Sequence, residues 1–481
     1  MINFIDSKEV NMEVKTDTLN ESSSVDITTQ KITLVQKLAY GSGDTACNLV
    51  AGTLNALLFL FYTDYVGVNP AIIGVALAFS RIFDGISDFT MGVIIERTKS
   101  KYGKARPWLV WMAIPYAICS VLIFLIPPGK TDMYHAIYIF ITYNLATTIC
   151  YTAINLPYGA LAALMTRDQN ERASLTVFRM AMSPVGRMLS VSCTLPLVKM
   201  LGDNQGAWVK VMTMWTILAI VLLVFNFMKC EEKVVVSNAP KENIPVLTSV
   251  KMLFKNKYWI FSTILWGMTA FHYAIVGTLL PYYSKYVLGN DVLYSTLYTI
   301  EVVILFFGAI LCPVLLKKFS KRDVSLCGAI LAIIAQFAAM LGPQTFEWQC
   351  ITVVLRSIGA APLITLVFAM MADSVEYGQW KTRVRQEGMI FSASGIGFKF
   401  ASGMTTVVIG AILSAAGYIT TVAGQSVVQP QSAINAVITS YHWGMIAVWV
   451  ITAIVLVFYK LDKMYPDIMK DLMERESRGE M

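Results

Sequence analysis

The stretch WVKVMTMWTILAIVLLVFNFM, residues 208–228, with the polar run behind it containing Glu231, Glu232, Lys233, Pro240, Lys241 and Glu242, decides the fold. A block of that length with Lys210 as its one charge meets the roughly 20 apolar residues a helix needs to cross a bilayer. The polar run is a joint. Before it lie five more apolar blocks, at 34–62, 70–95, 107–127, 134–164 and 174–200. After it lie six, at 258–287, 294–316, 324–343, 348–372, 389–417 and 439–459. The chain reads as an all-α membrane protein of twelve transmembrane helices in two six-helix bundles, 31–228 and 258–459, joined by a central loop at 229–257.

Composition agrees with that reading. Of 481 residues, 56% are apolar and 14% charged, against about 25% charged in an ordinary soluble domain. This excludes a secreted disulfide scaffold, a collagen-like chain and a soluble enzyme built on a nucleotide-binding sheet. The eight cysteines have no CxxC spacing, and most lie inside apolar blocks, where they read as small core residues. Residues 1–30 combine six acids with a serine run and no apolar segment, so they read as a disordered tail.

The distribution of Lys and Arg sets an expected orientation. With the N-terminus inside, the cytoplasmic loops hold twenty of them, Arg167, Lys241 and Arg385 included; the outer loops and adjoining helix ends hold Lys130, Lys199, Lys210 and Lys285. Such an imbalance places both termini, including a C-terminal tail at 460–481, in the cytoplasm. The net charge of +7 therefore marks topology, and no nucleic-acid partner is expected.

Ionisable residues inside spans need a reason to be there, because each costs at least about 2.5–3.5 kcal/mol at the centre of a bilayer. Asp84 and Asp88 are four residues apart in the second span, on one helix face, with Ser87 beside them. Two carboxylates and a hydroxyl facing a cavity suit a small hard cation, or share a proton. A competing reading has Arg81 neutralising them in a buried ion-pair knot. In the loop that follows, Arg97, Lys101, Lys104 and Arg106 read as topology determinants, or as a gating clasp that pairs with Asp168 and Glu171 in one conformation and releases them in another. Lys399 falls about ten residues into the eleventh span, near the middle of the membrane, where an ammonium needs a carboxylate or a wet cavity.

These residues sit in motifs that resemble the glycoside/pentoside/hexuronide:cation symporters, the melibiose permease group of the major facilitator superfamily. The motifs are Tyr40 to Asp44 (YGSGD), Phe61 to Gly67 (FYTDYVG), Ala78 to Asp88 (AFSRIFDGISD), Lys101 to Trp108 (KYGKARPW), Tyr151 to Tyr158 (YTAINLPY) and Ala372 to Gly378 (ADSVEYG). The resemblance runs over roughly residues 32–460. It implies a major facilitator fold and alternating-access symport of a sugar glycoside with sodium, lithium or protons. It also implies a cation site at Asp84, Ser87, Asp88 and Thr152, with Lys399 near it. Melibiose-type carriers usually have Asn where Ser87 stands, and Pro where Phe89 stands. Their two sugar-gripping acids correspond to Asn48 and Asn155 here.

An amide both donates and accepts, so a different hydroxyl pattern is expected, with pentosides, xylosides or hexuronides favoured over galactosides. The expected sugar-contacting set is Asn48, Asn155, Tyr151, Lys399 and Arg179. Asn155 has an alternative role, satisfying the carbonyl that Pro157 frees. Tyr40, Tyr158, Trp266, His272, Tyr273 and Tyr377 are further aromatic candidates for a pore; His272 reads more simply as a core histidine with one partner.

No enzyme is expected, because three histidines without HExxH or GxSxG supply neither a metal cluster nor a nucleophile and base. The alternative is a membrane sugar receptor without transport, although no loop exceeds about 30 residues. The expected partners are a small sugar, a coupling cation (sodium or a proton, with sodium at Asp84 and Asp88 the one metal envisaged) and the lipid of a bacterial plasma membrane. No cofactor is expected, and a monomer is the expected working unit.

Overall fold

The computed structural model of the chain describes residues 31–166, 168–233, 246–384, 386–421 and 427–478. The expected tail at 1–30, with Arg167, Lys241 and Arg385, lies outside the described residues. Six long helices precede the joint: α1 (Leu34–Asp64), α2 (Pro70–Arg97), α3 (Arg106–Leu125), α4 (Asp132–Met165), α5 (Gln169–Met200) and α6 (Gln205–Lys229). Six follow it: α7 (Lys257–Tyr286), α8 (Leu293–Leu315), α9 (Lys321–Leu341), α10 (Phe346–Thr382), α11 (Glu387–Ala415) and α12 (Gln431–Phe458). Two shorter helices, Val246–Lys255 in the central loop and Leu461–Ser477 after α12, complete the described chain.

Helix starts follow local chemistry. The first amides of a helix lack intrahelical partners, and a polar side chain at the cap supplies one. Thr33 and Gln36 form a reciprocal capping box on α1, while Asn69 accepts from the Ala71 amide with Pro70 in the first turn of α2. Asn204, Asn256, Ser320 and Thr345 do the same for α6, α7, α9 and α10.

Eleven of these helices are long and apolar enough to cross a membrane. The exception is α5, the predicted span 174–200, where Arg172, Arg179, Arg187 and Lys199 dilute the apolar residues. Its polarity is spent against α1: Thr45 donates to the Met182 carbonyl at 3.0 Å, and Asn48 to Ser183 at 3.1 Å. Exposed side chains such as Ile114, Ile118, Val221, Ile334 and Ile454 form the apolar exterior that lipid would cover. No disulfide is present among the described residues, and Cys327 is exposed on α9 rather than in the core.

The two halves meet where α1 packs on α7, α2 on α11 and α5 on α8. At one end of the bundle this contact is tight. A Cβ on Gly410 of α11 would stand 2.5 Å from the Pro70 carbonyl oxygen, so only glycine permits the approach. The Asp64 carboxylate closes the same end, accepting from Lys285, from Tyr286 at 2.8 Å and from Tyr418 at 2.5 Å, while Lys199 pairs with Asp291. At the opposite end, Glu232 accepts from the amides of Lys104, Ala105 and Arg106 at 2.7–2.8 Å and thereby caps α3. Gly103, at φ +106°, makes the turn that admits this carboxylate. The helix Leu461–Ser477 docks there on α10 through Trp380 and Asp471, 2.6 Å apart.

Inside the C-terminal half, Glu301 of α8 accepts from Arg356 of α10 at 2.8 Å and lies 3.0 Å from His272 of α7. Arg356 also reaches Gln336 of α9 at 3.1 Å and Tyr441 of α12 at 2.7 Å. Five helices thus share one buried polar network. A charge removed from water this completely is tolerable only with partners, and here they are supplied.

Candidate functional site

Asp84 and Asp88 lie midway along α2 and face α4. Asp84 is 5% exposed, with Arg81 at 3.4 Å on one oxygen and the Thr148 hydroxyl donating to the other at 2.6 Å. Thr152 donates to Asp88 at 3.2 Å, and Lys399 of α11 holds the second Asp88 oxygen. Ser87 donates to the Thr148 carbonyl at 2.5 Å. The four sequence-predicted residues, Asp84, Ser87, Asp88 and Thr152, therefore converge with Lys399 across the boundary between the halves.

Sequence reasoning missed Thr148. It lies one turn before Thr152 in a π-helical segment of α4, Asn144–Tyr151, whose wider turns leave backbone groups open to unusual partners. Asn144 lies beside it, its Oδ1 2.9 Å from the Thr148 hydroxyl, and donates to Ser80 at 2.8 Å. The i, i+4 spacing of Thr148 and Thr152, opposite the i, i+4 spacing of Asp84 and Asp88, was the available signal. The result is a patch of carboxylate and hydroxyl oxygens that suits a hard cation or a proton.

Next to this patch, between the halves, lies a cavity of about 180 Å³. It is small beside the usual ~300–1,000 Å³ of ligand pockets, in keeping with the tight closure at the Asp64 end. Arg81 and Lys399 form part of its wall, together with Asn55, Arg187, Tyr273 and Tyr298. Of the expected sugar-contacting set, only Lys399 lines it. Asn48 touches it indirectly, accepting from Arg187 at 3.4 Å. Arg179 sits deeper along α5, 3.5 Å from Asp44 and over the Tyr158 ring. Tyr151 packs beside Tyr116. The Asn155 Oδ1 is buried without a partner among the described residues.

The aromatic candidates divide in the same way. Tyr273 lines the cavity, whereas Tyr40 stacks on Tyr158, Trp266 packs against Phe368 and Phe398, and Tyr377 meets Tyr258. His272 is a core histidine beside Glu301. The expected gating partners are arranged differently from the sequence reading: Glu171 pairs with Lys37 at 2.9 Å, and Asp168 accepts from the Glu171 amide at 3.3 Å. The loop that holds Lys104 and Arg106 is bound instead to Glu232, with Arg106 Nε on the Phe227 carbonyl at 2.6 Å. Lys101 lies over the Tyr102 ring, and Arg97 ends α2. The reason is geometric: Glu232 lies beside the start of α3, where three free amides already point.

Residues 39–463 match the family described as MFS/sugar transport protein. The chain belongs to this family. It is a multi-pass membrane transporter, not an enzyme, of the glycoside/pentoside:cation symporter group. The isoprimeverose transporter of Lactiplantibacillus pentosus is 32% identical over 92% of this chain and 92% of its own. A putative glycoside/cation symporter, YagG, of Escherichia coli (strain K12) is 27% identical over 94% of this chain and 97% of its own. The crystal structure of a D-xylose-proton symporter superposes with a TM-score of 0.62 at 14% identity, covering 89% of this chain and 96% of that one. That likeness establishes the major facilitator fold. The symporter's motifs and its helix order thus lead to one family by separate routes.

Proposed function

We propose that this symporter carries a pentoside, xyloside or hexuronide rather than a galactoside, driven by sodium or protons that bind at Asp84 and Asp88. The observation that carries this reading is the placing of Lys399: its ammonium pairs with Asp88 and also walls the cavity. A cation arriving at Asp88 competes with that ammonium, and the displaced Lys399 is then free to meet a sugar hydroxyl. One side chain thus links ion occupancy to sugar occupancy. Asn48, Asn155, Tyr151 and Arg179 lie outside the wall of the small cavity and meet the sugar in another conformation. The relative named as an isoprimeverose transporter supports a glycoside substrate, and the family leaves no support for a receptor without transport.

On the same reading α5 also crosses the membrane, bringing the spans to twelve, and both termini are cytoplasmic. The Asp64 end is then extracellular and closed, so the halves are poised toward the cytoplasm. Rocking about the α1–α7, α2–α11 and α5–α8 contacts would open Asp64 and close the opposite end. The cation patch and the cavity lie within one chain, which supports a monomer as the working unit. Uptake of a panel of xylosides, glucuronides and galactosides into proteoliposomes, at several sodium concentrations and pH values, tests the assignment. Sodium-independent, pH-independent equilibration would contradict it, as would a galactoside preference.

A further inference from the structure

Among the described residues, the charged side chains around the cavity pair off, Arg187 apart. Arg179 stands against Asp44, Arg81 against Asp84, Lys399 against Asp88 and Arg356 against Glu301. Arg187 of α5 lines the cavity, yet among the described residues no carboxylate is paired with it. Its neighbours are neutral: the Asn48 amide oxygen at 3.4 Å, the Tyr298 side chain, and the Tyr273 ring, whose centroid is 5.6 Å from the guanidinium carbon. An unpaired guanidinium in a membrane interior is costly, so it is retained where an anion arrives to meet it.

We propose that Arg187 binds a carboxylate on the transported sugar, so that the substrate is an acidic glycoside, a uronide, rather than a neutral xyloside. This rests on the symport reading above and narrows it. The planar fork of a guanidinium matches the two oxygens of a carboxylate, while the Tyr273 ring offers a face for the sugar's C–H surface. Charge balance points the same way. A cation bound near Asp84 and Asp88 adds one positive charge to a region that already holds an unpaired one, and a uronide restores the balance in a medium where such charges interact strongly. Cation and acidic sugar would thereby favour each other's binding.

The test uses the full chain in proteoliposomes and compares matched glycosides that differ only at C6, methyl glucuronide with methyl glucoside and methyl galacturonide with methyl galactoside, together with disaccharides of each kind. Under inward sodium and proton gradients, the acidic member of a pair is expected to be taken up at least tenfold faster. Arg187→Gln should bring the acidic-to-neutral uptake ratio to about one, whatever its effect on uptake of the neutral member, and Arg187→Lys should retain part of the preference. The wild-type preference alone decides the matter if a variant fails to fold. Equal or faster uptake of the neutral members overturns the proposal and leaves sugar symport standing. Uptake of no glycoside in the set, acidic or neutral, overturns both.

Discussion

Lys399 of α11 donates to Asp88 of α2, so an ion pair midway along the two helices joins the two halves of the symporter. The Asp88 carboxylate keeps 37% of its surface exposed, whereas the neighbouring Asp84 is enclosed. On the proposed cation site this asymmetry divides the roles: Asp84 is fixed by Thr148 and Arg81, and Asp88 would be the carboxylate that exchanges one cation for another.

Lys399→Ala should impair gradient-driven sugar uptake, since Asp88 then has no ammonium for the driving cation to displace. Lys399→Arg should restore it poorly, because a planar guanidinium does not substitute for a compact ammonium. Initial uptake rates under a fixed cation gradient check both, and normal accumulation by Lys399→Ala would remove the link between the sites.

Thr148→Val preserves shape and removes the hydroxyl that donates to Asp84. A hydrogen bond to a charged group contributes about 1.5–3 kcal/mol, so the affinity for sodium, which needs Asp84 held in place as a ligand, should fall by up to roughly 10- to 150-fold. Thr148→Ser should retain most of it. Calorimetric titration of the purified protein with sodium gives the numbers.

How much of this was legible in the sequence depends on whether a residue's role is local. Spans and caps were readable, because apolar length and an Asn or Ser before a helix act on their own segment. The Asp84, Ser87, Asp88 cluster was readable because its members share a helix face. Thr148 was not, since a threonine in an apolar helix acquires meaning only when the π-helical turn sets it against Asp84. Glu232 was hidden by its setting: one acid in a polar joint gives no sign that three amides of a distant loop converge on it. The polar character of α5 is intelligible only once α1 is seen lying along it.

Arg356→Ala should destabilise the C-terminal half strongly, by about 3–5 kcal/mol, because Glu301 would remain buried with its charge uncompensated. The double change Arg356→Met with Glu301→Leu should recover much of the loss. Thermal inactivation of the detergent-purified protein compares them, and an unchanged Arg356→Ala midpoint would show that the network does not hold the bundle.

Asp64→Asn should loosen the closed end, since its carboxylate accepts from Lys285, Tyr286 and Tyr418. Losing the charge weakens bonds that each contribute about 1.5–3 kcal/mol. Distances between spin labels on the loops after α1 and α7 should broaden toward longer values in the variant. A distribution identical to wild type would contradict the gating role.

The most direct measurement is sugar accumulation in proteoliposomes by Asp88→Asn, set beside sugar exchange in the same vesicles without a gradient. Wild type should concentrate sugar above the external level when a sodium or proton gradient is imposed. Asp88→Asn should still exchange sugar across the membrane but bring it only to equality. Concentrative uptake by Asp88→Asn equal to wild type would contradict the assignment of the driving cation to this site.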